Sequence, residues 1–286
     1  MTTAFVLGGG GVLGAVEVGM LRALFERDIT PDLVLGTSVG ALNGALVARD
    51  PSLAVIDRLT DLWATTAQTG AAETVDLFRE RPMRTVRRVV ATGGRNIYSS
   101  KPLTERLVDE FGDLTFEELP VTFGVCAASI ERAAEHWFTS GPLVPAIVAS
   151  AAVPGLLPPA VATTAYGKEH FLDGGIVNSI PVGRAAAMGA DRIFVLQVGR
   201  IDRPLQVPRR PWEVARVSFE VARRHRFMRE LAEIPEGVEV HVLPAAGTSP
   251  KDDTMLAFRD FDSVQRRIDA TYAASRTYLD EHLADE

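Results

Sequence analysis

Ser38 lies at the centre of Gly36-Thr37-Ser38-Val39-Gly40, between an apolar run, Leu33-Val34-Leu35, and the small residues Ala41 to Ala48. The first run reads as a buried strand and the second as the helix that follows it. Ser38 then occupies a sharp strand-to-helix turn, a nucleophile elbow whose crowding excludes a Cβ two residues to either side, at Gly36 and Gly40. Such a turn holds a hydroxyl at the top of a sheet, near a helix N-terminus, where developing negative charge is favoured. The plainer alternative is a glycine-rich turn with an N-capping serine.

A second glycine turn precedes it. Ala4-Phe5-Val6-Leu7 reads as a buried strand, Gly8 to Gly14 as a loop, and Ala15 to Arg27 as a helix with apolar residues at helical spacing. Strand, glycine loop and helix in that order form an anion cradle, because backbone N–H groups can reach a negative oxygen where no side chain intervenes. Gly9-x-Gly11-x-x-Gly14 also matches the dinucleotide fingerprint, so a nucleotide-binding oxidoreductase is an alternative. That alternative expects an acid at the end of the second strand to hold the ribose. Here the second strand ends in Gly36-Thr37-Ser38, and Asp32 precedes it. Two glycine turns after neighbouring parallel strands place a hydroxyl beside amide donors, the minimum needed to attack an acyl carbonyl and hold its oxyanion.

The hydroxyl needs a base. His136 and His241 sit in strand-like runs, His225 among arginines on a helix, and His282 near the C-terminus; structural or surface roles suit them. His170 precedes Phe171-Leu172-Asp173-Gly174-Gly175. Asp173 is the stronger candidate, since it ends a short apolar strand and is followed by two glycines. An Asp-Gly-Gly sequence at a strand end is also a common plain turn.

Gly9-x-Gly11-x-x-Gly14, Gly36-Thr37-Ser38-Val39-Gly40 and Asp173-Gly174-Gly175, in this order and at these separations, resemble the patatin-like phospholipase family. The segment Ala149 to Pro159 resembles that family's small-residue helix and proline turn, and the likeness spans roughly residues 4 to 198. The resemblance implies a three-layer α/β fold, a central mainly parallel sheet flanked by helices. It implies Ser38 as nucleophile and Asp173 as its partner in a dyad without histidine. It places the oxyanion hole in the loop of Gly9, Gly10, Gly11 and Gly14, centred on the amides of Gly10 and Gly11. The implied activity is acyl hydrolysis of phospholipids, lysophospholipids or simpler esters, with no metal and no organic cofactor. The family's loop usually carries arginine or lysine before its last glycine; here that residue is Leu13, which leaves a weakly active, regulatory member of the fold as an alternative. Burial against Phe171 and Leu172 is expected to raise the Asp173 pKa and make it a better base.

The 286 residues suffice for a sizeable core, and 47% hydrophobic with 23% charged residues is ordinary for a globular protein. A net charge of −7 argues against general nucleic-acid binding. The single cysteine, Cys126, fits a reducing compartment and reads as a buried structural thiol. No apolar run spans a membrane, and Met1-Thr2-Thr3 brings no basic residue before the apolar stretch, so the expectation is a cytoplasmic protein without a secretory leader. The chain reads as a single domain over 1–286 with a helical insert at about 51–112. In that insert Ile56, Leu59, Leu62 and Trp63, then Val86, Val89 and Val90, then Leu103, Leu107, Val108 and Phe111 recur at helical spacing. They form either core or a cap with an apolar inner face for an acyl chain. Arg79, Arg81, Arg84, Arg87 and Arg88 read as a solvated face, and Asn96 to Ser99 as a loop that could border the site. Trp212 to Glu233 reads as an amphipathic helix whose Arg216, Arg223, Arg224, His225, Arg226 and Arg229 either lie against an anionic membrane surface or form a basic stripe facing solvent.

Overall fold

A computed structural model describes residues 1–69, 99–199, 201, 204–208, 211–245 and 261–283. β1 (Thr3–Leu7) leads through a 3-10 turn at Gly11–Gly14 into α1 (Ala15–Phe25). β2 (Leu33–Thr37), α2 (Val39–Arg49) and α3 (Ala54–Thr69) follow. After α4 (Lys101–Phe111) come β3 (Thr122–Ser129), β4 (Ala134–Phe138) and α5 (Leu143–Ser150). β5 (Ala160–Thr164) and β6 (Gly167–Asp173) lead into the short α6 (Gly175–Asn178) and α7 (Val182–Ala187). The chain closes with β7 (Arg192–Leu196), α8 (Pro211–Ala232), β8 (Glu239–Val242) and α9 (Phe261–His282).

The eight strands form one sheet in the order β5-β6-β3-β2-β1-β7-β8, with β4 also paired to β3. β3, β2, β1, β7 and β8 are mutually parallel, whereas β4, β5 and β6 run antiparallel to their neighbours. Ala4–Leu7 of β1, Leu33–Leu35 of β2 and Ile193–Leu196 of β7 are continuous apolar runs because helices cover both faces, as buried parallel strands require. Their alternation divides the core. Phe5, Leu7, Val34, Phe194 and Leu196 point to the face covered by α1, α2, α3, α5 and α9. Ala4, Val6, Leu33, Leu35, Ile193 and Val195 point to the other, where Val182, Ala185 and Phe227 pack. These are the three layers expected from the sequence.

β3 sets the position of the site. Its register pairs Thr37 of β2 with Cys126 and, one residue on, Asp173 of β6 with Ala127. Ala127 also pairs with His136 of β4, which occupies the opposite edge. β2 and β6 therefore share one edge of β3, and because they run in opposite directions their C-terminal ends meet there.

Of the helical insert, Ile56, Leu59, Trp63, Leu107 and Phe111 are core residues, while Val108 is half exposed. These residues follow the core alternative rather than the cap. Val86, Val89, Val90, the arginines from Arg79 to Arg88, and Asn96 to Tyr98 lie outside the described residues.

Candidate active site

Ser38 adopts φ 56° and ψ −121°, a left-handed conformation that costs a side-chain-bearing residue strain and marks functional turns. The neighbouring glycines permit it. A Cβ on Gly36 would collide with the backbone of Gly40 and Ala41, and one on Gly40 with the Leu7 and Gly8 carbonyls. The elbow is thus wedged directly against the end of β1, where the glycine loop begins.

Ser38 Oγ donates a hydrogen bond of 2.6 Å to Asp173 Oδ2. The other carboxylate oxygen accepts the Gly175 N–H at 2.7 Å. Asp173 is 3% and Ser38 7% exposed, so the pair is almost dry. Burial pushes the Asp173 carboxyl from 3.8 up to about 6, against the downward pull of the Ser38 hydroxyl and the Gly175 amide.

Ser150, at the end of α5, locks the junction of β2 and β6. Its Oγ accepts the Ser38 N–H at 2.8 Å and donates to the Cys126 carbonyl at 2.6 Å. Its own carbonyl accepts the Gly174 N–H, and Ala152 O accepts the Asp173 N–H. Thr37 Oγ1 donates to Asn178 O at 2.9 Å, tying the elbow to the turn after Asp173. Gly174 has no room for a side chain because Cys126 O occupies it.

The glycine loop divides into anchored and free amides. Gly8 N–H is taken by Leu196 O at 2.9 Å and Gly9 N–H by Ser179 O at 3.0 Å. Among the described residues no acceptor takes the amide of Gly10. Gly9 is therefore a packing position: the place of its missing Cβ lies 3.1 Å from Ser179 Oγ and 3.4 Å from Ser38 Cβ. Gly14 is also steric, since a Cβ there would strike Val39 and Trp63. Leu13 is partly buried and packs against the core.

Beneath the loop lies a polar knot that the motifs do not reveal. Asn43 Nδ2 donates to Gly14 O at 3.0 Å and to Glu17 Oε2 at 2.7 Å, and Trp63 Nε1 donates to Asn43 Oδ1 at 3.3 Å. Glu17 is fully buried, and desolvation holds its carboxyl well above the ordinary range. Through Asn43 it joins α1, α2 and α3.

The histidines stand elsewhere. His170 Nδ1 lies 2.6 Å from Glu131 Oε1, His136 Nδ1 lies 2.8 Å from Arg132, and His282 Nδ1 contacts Tyr278 O. His241 stacks on Phe194, and His225 is exposed. Cys126 is fully buried and burial raises its thiol pKa, which keeps it protonated. Two described arginines of α8 meet acids: Arg226 pairs with Glu135 and Glu230, and Arg223 with Glu220. Apolar residues mark the outer face, with Val214, Val221 and Met228 all about half exposed.

The sequence model described as Patatin-like phospholipase matches residues 5–186, which include the glycine loop, the elbow and the Asp-Gly-Gly turn. Lysophospholipase nte1 of Aspergillus terreus is 30% identical over 201 residues, covering 70% of this chain and 12% of that protein. Patatin-like phospholipase domain-containing protein 7 of Rattus norvegicus is 31% identical over 199 residues, covering 70% of this chain and 14% of that one. The chain thus spans about one-seventh or less of these relatives' length. The crystal structure of VipD from Legionella pneumophila aligns with a TM-score of 0.46 at 15% identity, covering 98% of this chain and 67% of that one. With the family's sequence model extending over well more than half of its residues, this chain belongs to the patatin-like phospholipase family.

Proposed function

We propose that this domain is a lipid acyl hydrolase in which Ser38 and Asp173 act as a catalytic dyad. The observation that carries the reading is the 2.6 Å hydrogen bond from a left-handed elbow serine to a buried carboxylate whose pKa stands at about 6. The matched relatives carry lysophospholipase and patatin-like phospholipase in their names, which supports a fatty-acyl ester as substrate.

In this mechanism Ser38 Oγ attacks the acyl carbonyl while its proton passes to Asp173 Oδ2. The transfer accompanies bond formation, because a carboxylate is far too weak a base to ionise a serine in advance; each pKa unit of mismatch costs about 1.4 kcal/mol. Raising Asp173 from 3.8 to about 6 removes about 3 kcal/mol of that mismatch. The free amide of Gly10 receives the oxyanion, with Gly11 assigned beside it by the family resemblance. Ser38's own N–H cannot join them, since Ser150 Oγ holds it. Asp173 then returns the proton to the departing alkoxide, and water repeats the sequence on the acyl-enzyme.

Peripheral membrane contact is the second part of the proposal. Among the described residues no helix is long and apolar enough to cross a bilayer. Val214, Val221 and Met228 recur every seventh residue on the outer face of α8, with His225 and Arg229 exposed beside them. That pattern suits shallow docking on an anionic lipid surface.

The test of the dyad is labelling with a fluorophosphonate followed by peptide mapping. The expected result is modification of Ser38 alone, abolished by Ser38→Ala and Asp173→Asn. Labelling undiminished in Asp173→Asn refutes the dyad.

A further inference from the structure

Arg223 is a buried guanidinium for which the dyad has no use. It is 4% exposed. Its Nε and Nη2 donate to the two carboxylate oxygens of Glu220 at 3.1 and 2.8 Å, but its Nη1 has no acceptor among the described residues. The Arg224 Nε also lies 3.5 Å from Glu220, so this one carboxylate faces two guanidiniums. A buried N–H pair without an acceptor is costly, and a charged one more so.

The cluster sits where the site needs a third wall. Arg223 Nη2 lies 3.4 Å from where a Cβ of Gly199 would stand, immediately beyond β7. The preceding residue, Val198, fills the space beside Gly10 of the glycine loop. One helical turn before Arg223, the ring of Phe219 abuts Gly175, whose missing Cβ would also lie 3.0 Å from Asp173 Oδ1. α8 therefore runs along the C-terminal edge of the sheet from Asp173 to the glycine loop. Ligands of open parallel sheets gather at that edge.

We infer that Arg223 is an anion-binding residue that takes a phosphate carried by the alcohol half of an acyl ester, with Glu220 holding the guanidinium in place. This rests on the acyl-hydrolase reading. The acyl carbon must lie at Ser38, so the carboxylate product forms there, and an anion held beside Gly199 belongs to the leaving alcohol. Glu220 is 24% exposed at its side chain, which leaves it on the solvent side of the pair, where an incoming phosphate can share the fork. Guanidinium suits phosphate because its planar N–H groups match two oxygens at once.

The experiment compares kcat/KM for 1-oleoyl-lysophosphatidylcholine with that for 1-oleoylglycerol, the same acyl ester without phosphate. The ratio of the two is expected to fall about ten- to a hundredfold in Arg223→Met, the range of a lost charged hydrogen bond. It should fall less in Arg223→Lys, which keeps charge without the fork. Equal loss on both substrates, or an unchanged ratio, overturns the assignment. In the wild type, where folding is not in question, inorganic phosphate should compete with lysophosphatidylcholine more strongly than with oleoylglycerol; equal inhibition of both overturns it as well. A phosphate-induced rise in Tm that needs Arg223, with a substrate ratio that does not, identifies free phosphate as the ligand and overturns the head-group assignment. If the wild type cleaves neither ester and takes no fluorophosphonate, the hydrolase reading has failed. A phosphate-dependent Tm shift that needs Arg223 would then still report the anion site.

Discussion

Asp173→Asn should make this protein inactive and, at alkaline pH, more stable. The carboxyl titrates near 6 when folded and near 3.8 when exposed. Between those values the folded state binds the extra proton, so its stability declines as pH rises through 6. Below 3.8 both states are protonated and the burial of Asp173 costs nothing in charge. At pH 8 both are ionised, and the gap corresponds to about 3 kcal/mol of destabilisation. Asparagine mimics the protonated side chain without titrating. Its amide oxygen can still accept the Gly175 N–H, and its Nδ2 can donate to Ser38 Oγ in place of the bond the hydroxyl now gives. The variant's Tm should therefore exceed the parent's by roughly 5 to 10 °C at pH 8 and match it near pH 4. The measurement is a pair of thermal melts across that pH range; the difference between the two proteins cancels every other titrating group, Glu17 included. In parallel, wild-type kcat/KM should fall tenfold per pH unit below about 6, where the base becomes protonated. A stability difference that does not change with pH, or activity that persists to pH 4, would refute the assignment of a buried, ionised base.

Ser150→Ala leaves the Ser38 N–H and the Cys126 carbonyl without partners, costing about 1–3 kcal/mol of stability, and it loosens the elbow enough to lower kcat with little change in KM; denaturant melts and ester kinetics check both. Glu17→Gln keeps an acceptor for Asn43 and should preserve stability and activity at pH 7, whereas Glu17→Ala should lower Tm by removing that acceptor and leaving a void; scanning calorimetry separates the two. Val221→Asp with Met228→Asp should reduce sedimentation with anionic vesicles while leaving turnover of a water-soluble ester intact; unchanged sedimentation removes α8 as the docking face.

The local parts of this architecture were legible from sequence, and the long-range parts were not. The elbow at Ser38 and the loop from Gly8 to Gly14 announce themselves because strand, turn and helix are contiguous and only glycine satisfies the crowding. Asp173 was legible as a strand end followed by paired glycines. Its distance from Ser38 was not, because it depends on how β2 and β6 register against β3. Ser150 was hidden within a run of small residues that reads as helix packing, although its hydroxyl proves to bridge two strands. The six-residue basic pattern of α8 suggested a membrane-facing stripe, but acids distant in sequence, Glu135 for one, draw Arg226 inward. Gly9 illustrates a subtler difference: its spacing marks an amide donor, but the fold gives that amide to the Ser179 carbonyl.

The head-on meeting of two strands along one edge of β3 bears on the chain during its synthesis. Ser38 emerges from the ribosome early, but its hydrogen-bond partner Asp173 follows 135 residues later and finds its place only once β3 lies beside both strands. A slip of one residue in the antiparallel β6 would turn Asp173 to the opposite face of the sheet. Hydrolytic competence should therefore arise late and all at once, so that truncated or misassembled copies leave the lipids around them intact.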